Sequence, residues 1–140
     1  MIYILIAQLN KMNDEEKMIT CKVVLLGDSG VGKTSIIQNY IFKRYNYKDI
    51  STISSNFQSK ILDLKNEKKK IKLEIWDTAG QEKYHSLAKI FFQDASVCIL
   101  VYDITVRKSF EELKNFWVKE VKTYSKSNVS KHKIYNYIYI

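Results

Sequence analysis

The stretch GDSGVGKTS, residues 27 to 35, decides the fold, because its spacing G-x-x-x-x-G-K-T is typical of a phosphate-binding P-loop. Its glycines can adopt positive φ or let the backbone approach a ligand closely, so that successive N–H groups point at one anion. In this pattern Lys33 reaches the phosphates and the Thr34 hydroxyl binds Mg²⁺. The predicted nucleotide-binding residues of the loop are Asp28, Ser29, Gly30, Val31, Gly32, Lys33, Thr34 and Ser35.

The residues on either side place this loop between a strand and a helix. CKVVLL (21–26) is a continuous apolar run, typical of a parallel strand that is buried on both faces. SIIQNYIF (35–42) has a helical period, and its apolar face consists of Ile36, Ile37, Tyr40 and Ile41. A helix N-terminus favours phosphate through its dipole and free N–H groups. This context favours a nucleotide-binding loop in an α/β fold over the alternative, an ordinary glycine turn.

A second motif, IKLEIWDTAGQEKYHSL (71–87), predicts phosphate chemistry at the end of another strand. Asp77 can hold Mg²⁺ through water, the N–H of Gly80 can contact a γ-phosphate, and Gln81 can orient an attacking water as the catalytic residue. Thr52 lies between the two motifs in the polar segment DISTISSNF (49–57), where a loop can bring its hydroxyl to the same Mg²⁺. An ordinary loop threonine is the alternative at that position.

Composition supports a nucleotide protein rather than a nucleic-acid protein. All four glycines lie in the two motifs, and the chain has no proline. The net charge of +8 is discounted, since the abundance of Lys, Ile, Asn and Tyr is typical of A/T-rich codon usage. The densest basic run, KNEKKKIK (65–72), lies between two alternating segments and is predicted to be a solvated hairpin tip without interleaved aromatics, so no nucleic-acid partner is expected.

Two cysteines, Cys21 and Cys98, lie in apolar strands without a C-x-x-C or Cys/His spacing, which argues against a metal site or a disulfide. No linker or repeat is visible. The domain is predicted to span residues 21–128, and residues 1–20 are predicted to be an N-terminal extension. Met12 is an alternative start, in which case the first eleven residues do not belong to the working protein.

Taken together, the motifs resemble those of the small GTPases of the Ras superfamily and, within it, the Rab family. The resemblance runs from about Cys21 to Asn128 and is carried by GDSGVGKTS, STISSNF, WDTAGQEKYHSL and ILVYDIT; HSLAKIFFQDA (85–95) is most like the endosomal Rab group. It implies a three-layer α/β P-loop NTPase fold with a mostly parallel sheet. It also implies binding of GTP or GDP with Mg²⁺, hydrolysis of GTP, and recruitment of effectors in vesicle trafficking.

The resemblance also assigns residues by position. Tyr45 would lie near the guanine, the segment around Thr52 would be switch I, and 78–93 would be switch II, which order around the γ-phosphate. Ser29 occupies a position where many Rab proteins have serine. The predicted effector-binding residues are Phe57, Trp76 and Phe91, and core packing is their alternative role. Because no arginine stands out as a finger in cis, a GTPase-activating protein is expected in trans, together with an exchange factor.

One helix departs from the family pattern. KNFWVKEV (114–121) carries one more residue than the usual N-W-V-K-E-L, and one insertion rotates the following residues by about 100°. We therefore expect a local bulge or an altered register. Ser109 and Glu112 are predicted to form a capping box. The predicted buried face of this helix consists of Phe110, Leu113, Trp117, Val121 and Tyr124.

The end of the sequence departs further. Neither the N-K-x-D sequence that reads guanine in this family nor the later S-A-K loop is present, so guanine is inferred from the other motifs alone. Residues 129–140, VSKHKIYNYIYI, are predicted to be translated intron, since Val-Ser-Lys can be encoded by the splice-donor-like GTAAGTAAA. The sheet is then incomplete at this edge, because the Val97 to Tyr102 strand loses its parallel neighbour, although IYNYIYI has the alternation to pair there.

The missing C-terminal cysteine motif for prenylation removes the family's membrane anchor, so this chain is expected to be cytoplasmic. A prenylated full-length form would lie on the cytosolic face of endosomal or other vesicle membranes. Two alternatives remain for the function. One is a nucleotide-incompetent fragment that acts as an interaction module, and the other is an ATP-using P-loop enzyme.

Overall fold

The computed structural model describes residues 18–43, 56–64, 69–78, 90–91, 93–124 and 135–139, with the backbone alone for 124 and 135–139. Its strands are β1 (Met18–Leu26), β2 (Asn56–Leu64), β3 (Lys69–Asp77), β4 (Val97–Tyr102) and β5 (Tyr135–Tyr139). Its helical segments are α1 (Lys33–Phe42), α2 (Arg107–Glu112), a π-helical turn (Leu113–Trp117) and α3 (Val118–Tyr124). None of these helices is long and apolar enough to cross a membrane.

The strands form one sheet in the order β2-β3-β1-β4-β5. Only β2 is antiparallel to its neighbour, so the sheet is mostly parallel, as predicted. Successive side chains of β1 point to opposite faces. Val23 and Leu25 join a core cluster with α1, whereas Val24 and Leu26 join a second cluster with the π-helical turn and α3. This three-layer α/β arrangement confirms the predicted fold class and explains why residues 23–26 of β1 are all apolar.

The β2–β3 hairpin confirms the prediction of two alternating segments, but its tip is shorter than expected. The basic run was predicted to be the tip over 65–72, yet Lys69 already pairs with Leu64, and Lys72 pairs with Ile61. The reason is Ile71, which is fully buried and commits the residues around it to the strand. Residues 65–68 lie outside the described part of the chain.

The outer edge of β4 is paired with residues of IYNYIYI, the segment that was predicted to be able to pair there. β5 is parallel to β4, with Cys98 opposite Tyr135 and Tyr102 opposite Tyr139. The edge of β4 that the sequence left open is therefore covered by the chain's own C-terminal residues. In the described part of the chain, β5 is the last strand on this side of the sheet.

The predicted bulge in the second helical region is confirmed as the π-helical turn Leu113–Trp117. The buried positions on this helical region are Ser109, Leu113, Trp117 and Val121. They are spaced by four residues, and each such step overshoots a full α-helical turn by about 40°. A turn with i→i+5 hydrogen bonds is wider, so it takes up the extra residue and keeps the apolar face on the sheet.

The predicted capping box is wrong. The helix begins at Arg107, with Val106 at the N-cap and no side-chain cap, so Ser109 is already inside the first turn. The Ser109 hydroxyl is buried, lies 2.7 Å from the carbonyl oxygen of Val106, and accepts the N–H of Asp103 at 3.1 Å. The S-x-x-E spacing is present, but Ser109 does not cap the helix; its hydroxyl joins the helix to the loop that precedes it.

The predicted face of this helical region is confirmed at Leu113, Trp117 and Val121, all of which are buried. Phe110 is half-buried and packs on Tyr102, with ring centroids 5.1 Å apart. The side chain of Tyr124 lies outside the described residues.

Candidate active site

The P-loop joins β1 to α1 and has the backbone that the sequence predicted. Gly27, Gly30 and Gly32 all have positive φ, at 150°, 76° and 89°. A Cβ on Gly27 would lie 2.1 Å from the carbonyl oxygen of Val101 on β4, so the loop approaches the sheet too closely for any other residue. Gly32 is the N-cap of α1, which directs the helix N-terminus at the loop.

Lys33 is the buried cation of this loop, with 5% of its surface exposed. Its Nζ donates hydrogen bonds to the carbonyl oxygens of Gly27 at 2.9 Å and Asp28 at 2.6 Å. Burial lowers the pKa of Lys33 to about 8, against the opposing pull of the charges on Asp77 and Asp28. Carbonyl groups compensate a buried charge only in part, so this ammonium is prepared to pair with an anion.

Thr34 and Asp77 connect the loop to the end of β3. The Thr34 hydroxyl donates to Oδ2 of Asp77 at 2.7 Å. Asp77 is 2% exposed, and its Oδ1 has no hydrogen-bond partner within the described residues. Burial raises the pKa of Asp77, while the Thr34 hydrogen bond and the Lys33 charge act in the opposite direction.

These oxygens fit Mg²⁺. A buried carboxylate oxygen without a partner is costly, so it indicates a ligand, and a hydroxyl that donates its proton still has lone pairs for a metal. The described residues contain no group of three or more His, Cys, Asp or Glu that could hold a metal alone. Magnesium is commonly bound by one or two carboxylates together with phosphates and water. Here Asp77 would supply the carboxylate, Thr34 a hydroxyl oxygen, and a nucleotide the phosphates.

The remaining P-loop residues lie where the motif predicts, and the N–H of Ser29 makes a hydrogen bond within the loop. Val31 is a core residue, Ser35 is half-buried, and Ser29 and Gly30 are exposed at the tip. The N–H of Ser29 donates to Oδ1 of Asp28 at 2.7 Å, so it is paired with the neighbouring carboxylate.

Thr78, which was assigned no role of its own from the sequence, lies next to Asp77. Its buried hydroxyl donates to the carbonyl oxygen of Leu25 at 2.6 Å and ties the start of the predicted switch II to the end of β1. Its position directly after Asp77 was the only local signal, since the bond joins residues that are far apart in the sequence.

The three predicted effector residues come together on the β2–β3 side of the sheet. Phe57 packs edge-on against Trp76 with centroids 5.2 Å apart, and Trp76 lies 6.2 Å from Phe91. Phe57 is 47% exposed, whereas Trp76 and Phe91 are half-buried against the second core cluster. We call Phe57, Trp76 and Phe91 the aromatic trio; it combines an accessible surface with the core packing that was its alternative role.

Four predicted site residues, Tyr45, Thr52, Gly80 and Gln81, lie outside the described residues. Their roles therefore stay predictions, and the described site consists of the P-loop, Asp77 and Thr78.

Comparison with known proteins agrees with this geometry. A model of the Ras family matches residues 22–136, past the Asn128 boundary expected from the motifs. Human Ras-related protein Rab-21 is 48% identical over 101 residues, which are 72% of this chain and 44% of that protein. Ras-related protein Rab7 of Glycine max is 46% identical, covering 71% of this chain and 47% of that protein. Ras-related protein Rab-13 of Bos taurus is 44% identical, covering 79% and 53%. The chain thus spans about half the length of the curated relatives it matches.

Proposed function

Because this chain belongs to the Ras family, with Rab proteins among its relatives, we propose that it acts as a Rab-type GTPase, a GTP/GDP switch in vesicle trafficking. The observation that carries the proposal is the group of buried Lys33 and Asp77 with the half-buried Thr34 between them. Within the described residues, the Lys33 ammonium donates to two carbonyl oxygens and one oxygen of Asp77 has no hydrogen-bond partner, which leaves room for a phosphate and a metal.

Each site residue has a proposed role toward guanine nucleotide. Lys33 and the P-loop N–H groups would bind the phosphates, while Thr34 and Asp77, joined by Thr52 from switch I, would hold Mg²⁺. The ion, when bound, would neutralise charge on the phosphates. Gly80 would donate its N–H to the γ-phosphate, Gln81 would orient the attacking water, and the Tyr45 ring would lie along the base.

The proposed partners follow from the same assignment. The aromatic trio would contact effectors when switch I and switch II are ordered by GTP. Arg107, the only arginine among the described residues, pairs with Glu111 on α2 at 3.0 Å, so the arginine finger is assigned to a GTPase-activating protein. An exchange factor would release GDP. Membrane attachment would require a prenylated C-terminus, and the endosomal or other vesicle surface is the proposed location.

The experiment is a titration of the purified 140-residue chain with fluorescent mant-GDP and Mg²⁺. Lys33→Ala and Thr34→Asn should each weaken binding at least about tenfold, because each removes a contact to phosphate or metal. Lys119→Ala, which removes an exposed charge from α3, is the matched control and should bind like the parent chain. Unchanged affinity in both loop variants would exclude the P-loop assignment, and displacement by ATP as readily as by GTP would favour an ATP-using enzyme.

The second candidate is an interaction module that does not bind nucleotide. The exposed ring of Phe57 in the aromatic trio favours it. A chain that gives a cooperative thermal unfolding transition but no mant-GDP signal would support this candidate over the switch.

A further inference from the structure

Lys22 of β1 contacts both the aromatic trio and the segment after switch II. Its Nζ donates to the carbonyl oxygen of Gln93 at 2.9 Å and lies 5.2 Å from the centroid of the Trp76 ring. Gln93 is the last residue of the predicted switch II, and Trp76 is the central ring of the trio. One ammonium group therefore joins the end of the predicted switch II to the surface proposed to bind effectors.

The backbone of Lys22 is fixed from two sides. Lys22 is paired with Glu74 in the parallel β1–β3 ladder. On the other side, its carbonyl oxygen accepts the N–H of Ser96 at 2.9 Å, and its own N–H lies 3.3 Å from the Ser96 hydroxyl. Because the backbone of Lys22 is held in place, the position of its ammonium group depends on the contacts with Gln93 and Trp76.

Trp76 in turn packs against the second core cluster, but within the described residues no hydrogen bond orients its ring. Its indole Nε1 is buried and has no hydrogen-bond partner among the described residues. The ring is held by the edge of Phe57, by Phe91 and by the Lys22 cation. An ammonium near the face of an indole is attracted by the ring's quadrupole, and tryptophan is the strongest such partner.

We propose that Lys22 is a positioning residue that holds the Trp76 ring in its orientation and transmits movement at the end of switch II to that ring. The inference rests on the proposed function, in which switch II responds to the nucleotide and the trio binds effectors. When the Gln93 carbonyl moves, the ammonium leaves the indole face and Trp76 loses the contact that fixes its angle.

The test uses ¹⁹F NMR of the whole chain labelled with 5-fluorotryptophan, which gives two signals because the chain has two tryptophans. Trp76→Phe identifies them. Lys22→Met keeps a long unbranched side chain, one atom shorter, and removes the charge. It should shift the Trp76 signal and raise its relaxation by a soluble gadolinium chelate about two- to fivefold. Trp117, buried in the second core cluster, should keep its signal.

Three further variants make this result specific. Lys22→Arg keeps a cation and a donor and should restore the parental Trp76 signal. Lys22→Gln keeps a donor for Gln93 without the charge and should give an intermediate value. Lys70→Met removes an exposed charge from β3 and should match the parent chain. Parental Trp76 values in both Lys22→Met and Lys22→Gln, or equal changes at Trp117, would overturn the proposal.

A second comparison separates this inference from the proposed function. In the parent chain, exchange of GDP for a non-hydrolysable GTP analogue should move the Trp76 signal, and Lys22→Met should reduce that movement by at least about half. Failure of the parent to bind either nucleotide would contradict the switch, while the nucleotide-free measurements would still decide whether Lys22 positions Trp76. Full movement in Lys22→Met would refute transmission through Lys22.

Discussion

Replacing Lys33 with methionine should remove a pH dependence from the stability of the ligand-free chain. Burial lowers the pKa of Lys33 from 10.5 to about 8, so between these values the unfolded chain binds the proton more tightly than the folded chain. The free energy of unfolding therefore rises with pH across this range. From about pH 7.5 to 9.5 the contribution of this one group amounts to about 2 kcal/mol.

The assay is urea unfolding of the parent chain and Lys33→Met at several pH values in that range. The other ionisable groups are common to both chains, so their contributions cancel in the difference. We expect the parent to gain about 2 kcal/mol relative to Lys33→Met on raising the pH. A flat difference would show that the ammonium is not desolvated, which would refute its role as a buried charge that needs an anion. Saturating GDP should abolish the trend, because a phosphate next to Nζ returns the pKa toward its usual value.

Further predictions concern chemistry, backbone, helix and gene product. Gln81→Leu should bind nucleotide like the parent but slow activator-stimulated GTP hydrolysis; a parental stimulated rate would rule out water positioning by Gln81. Gly27→Ala should lower the free energy of unfolding by more than about 2 kcal/mol in a denaturant titration, because the new Cβ meets the Val101 carbonyl. Gly30→Ala should lower it by about 1 kcal/mol, because the new Cβ lies in open space and only the positive φ is unfavourable. Equal losses would contradict the close approach to β4. Deleting Asn115 should convert the π-helical turn to α-helix without loss of stability, and a lower melting temperature would show that the wide turn is needed. We also propose that residues 129–140 are translated intron; a mature transcript that retains VSKHKIYNYIYI and its stop would refute this.

The geometry of the P-loop could be predicted because its signals are local. The positive φ angles of the P-loop, the apolar strand before it and the position of Asp77 at a strand end each follow from a few consecutive residues. The β2–β3 hairpin followed from alternation in the same way. Even the bulge before Trp117 could be predicted, because one extra residue in a helix must be accommodated somewhere along its length.

The contacts that the sequence did not predict join distant segments. Thr78 binds the carbonyl of Leu25 across 53 positions, and Lys22 binds that of Gln93 across 71. Both acceptors are backbone carbonyl groups, which every residue has, so no residue type signals them. Ser109 was misassigned for a related reason. The S-x-x-E spacing marks a helix start only if the residues before the serine are not helical. Here the helix already begins at Arg107, and the Ser109 hydroxyl binds the loop at Asp103.

The π-helical turn also bears on ancestry. A residue inserted into a helix that packs on a sheet turns the apolar side chains after it toward water, so selection would ordinarily remove it. The wide turn confines the effect of the extra residue to Leu113–Trp117. A single-codon insertion at this place can thus persist once it has arisen, and independent reversal requires another rare event. We therefore expect homologues with the same extra residue between Leu113 and Trp117 to share it by descent.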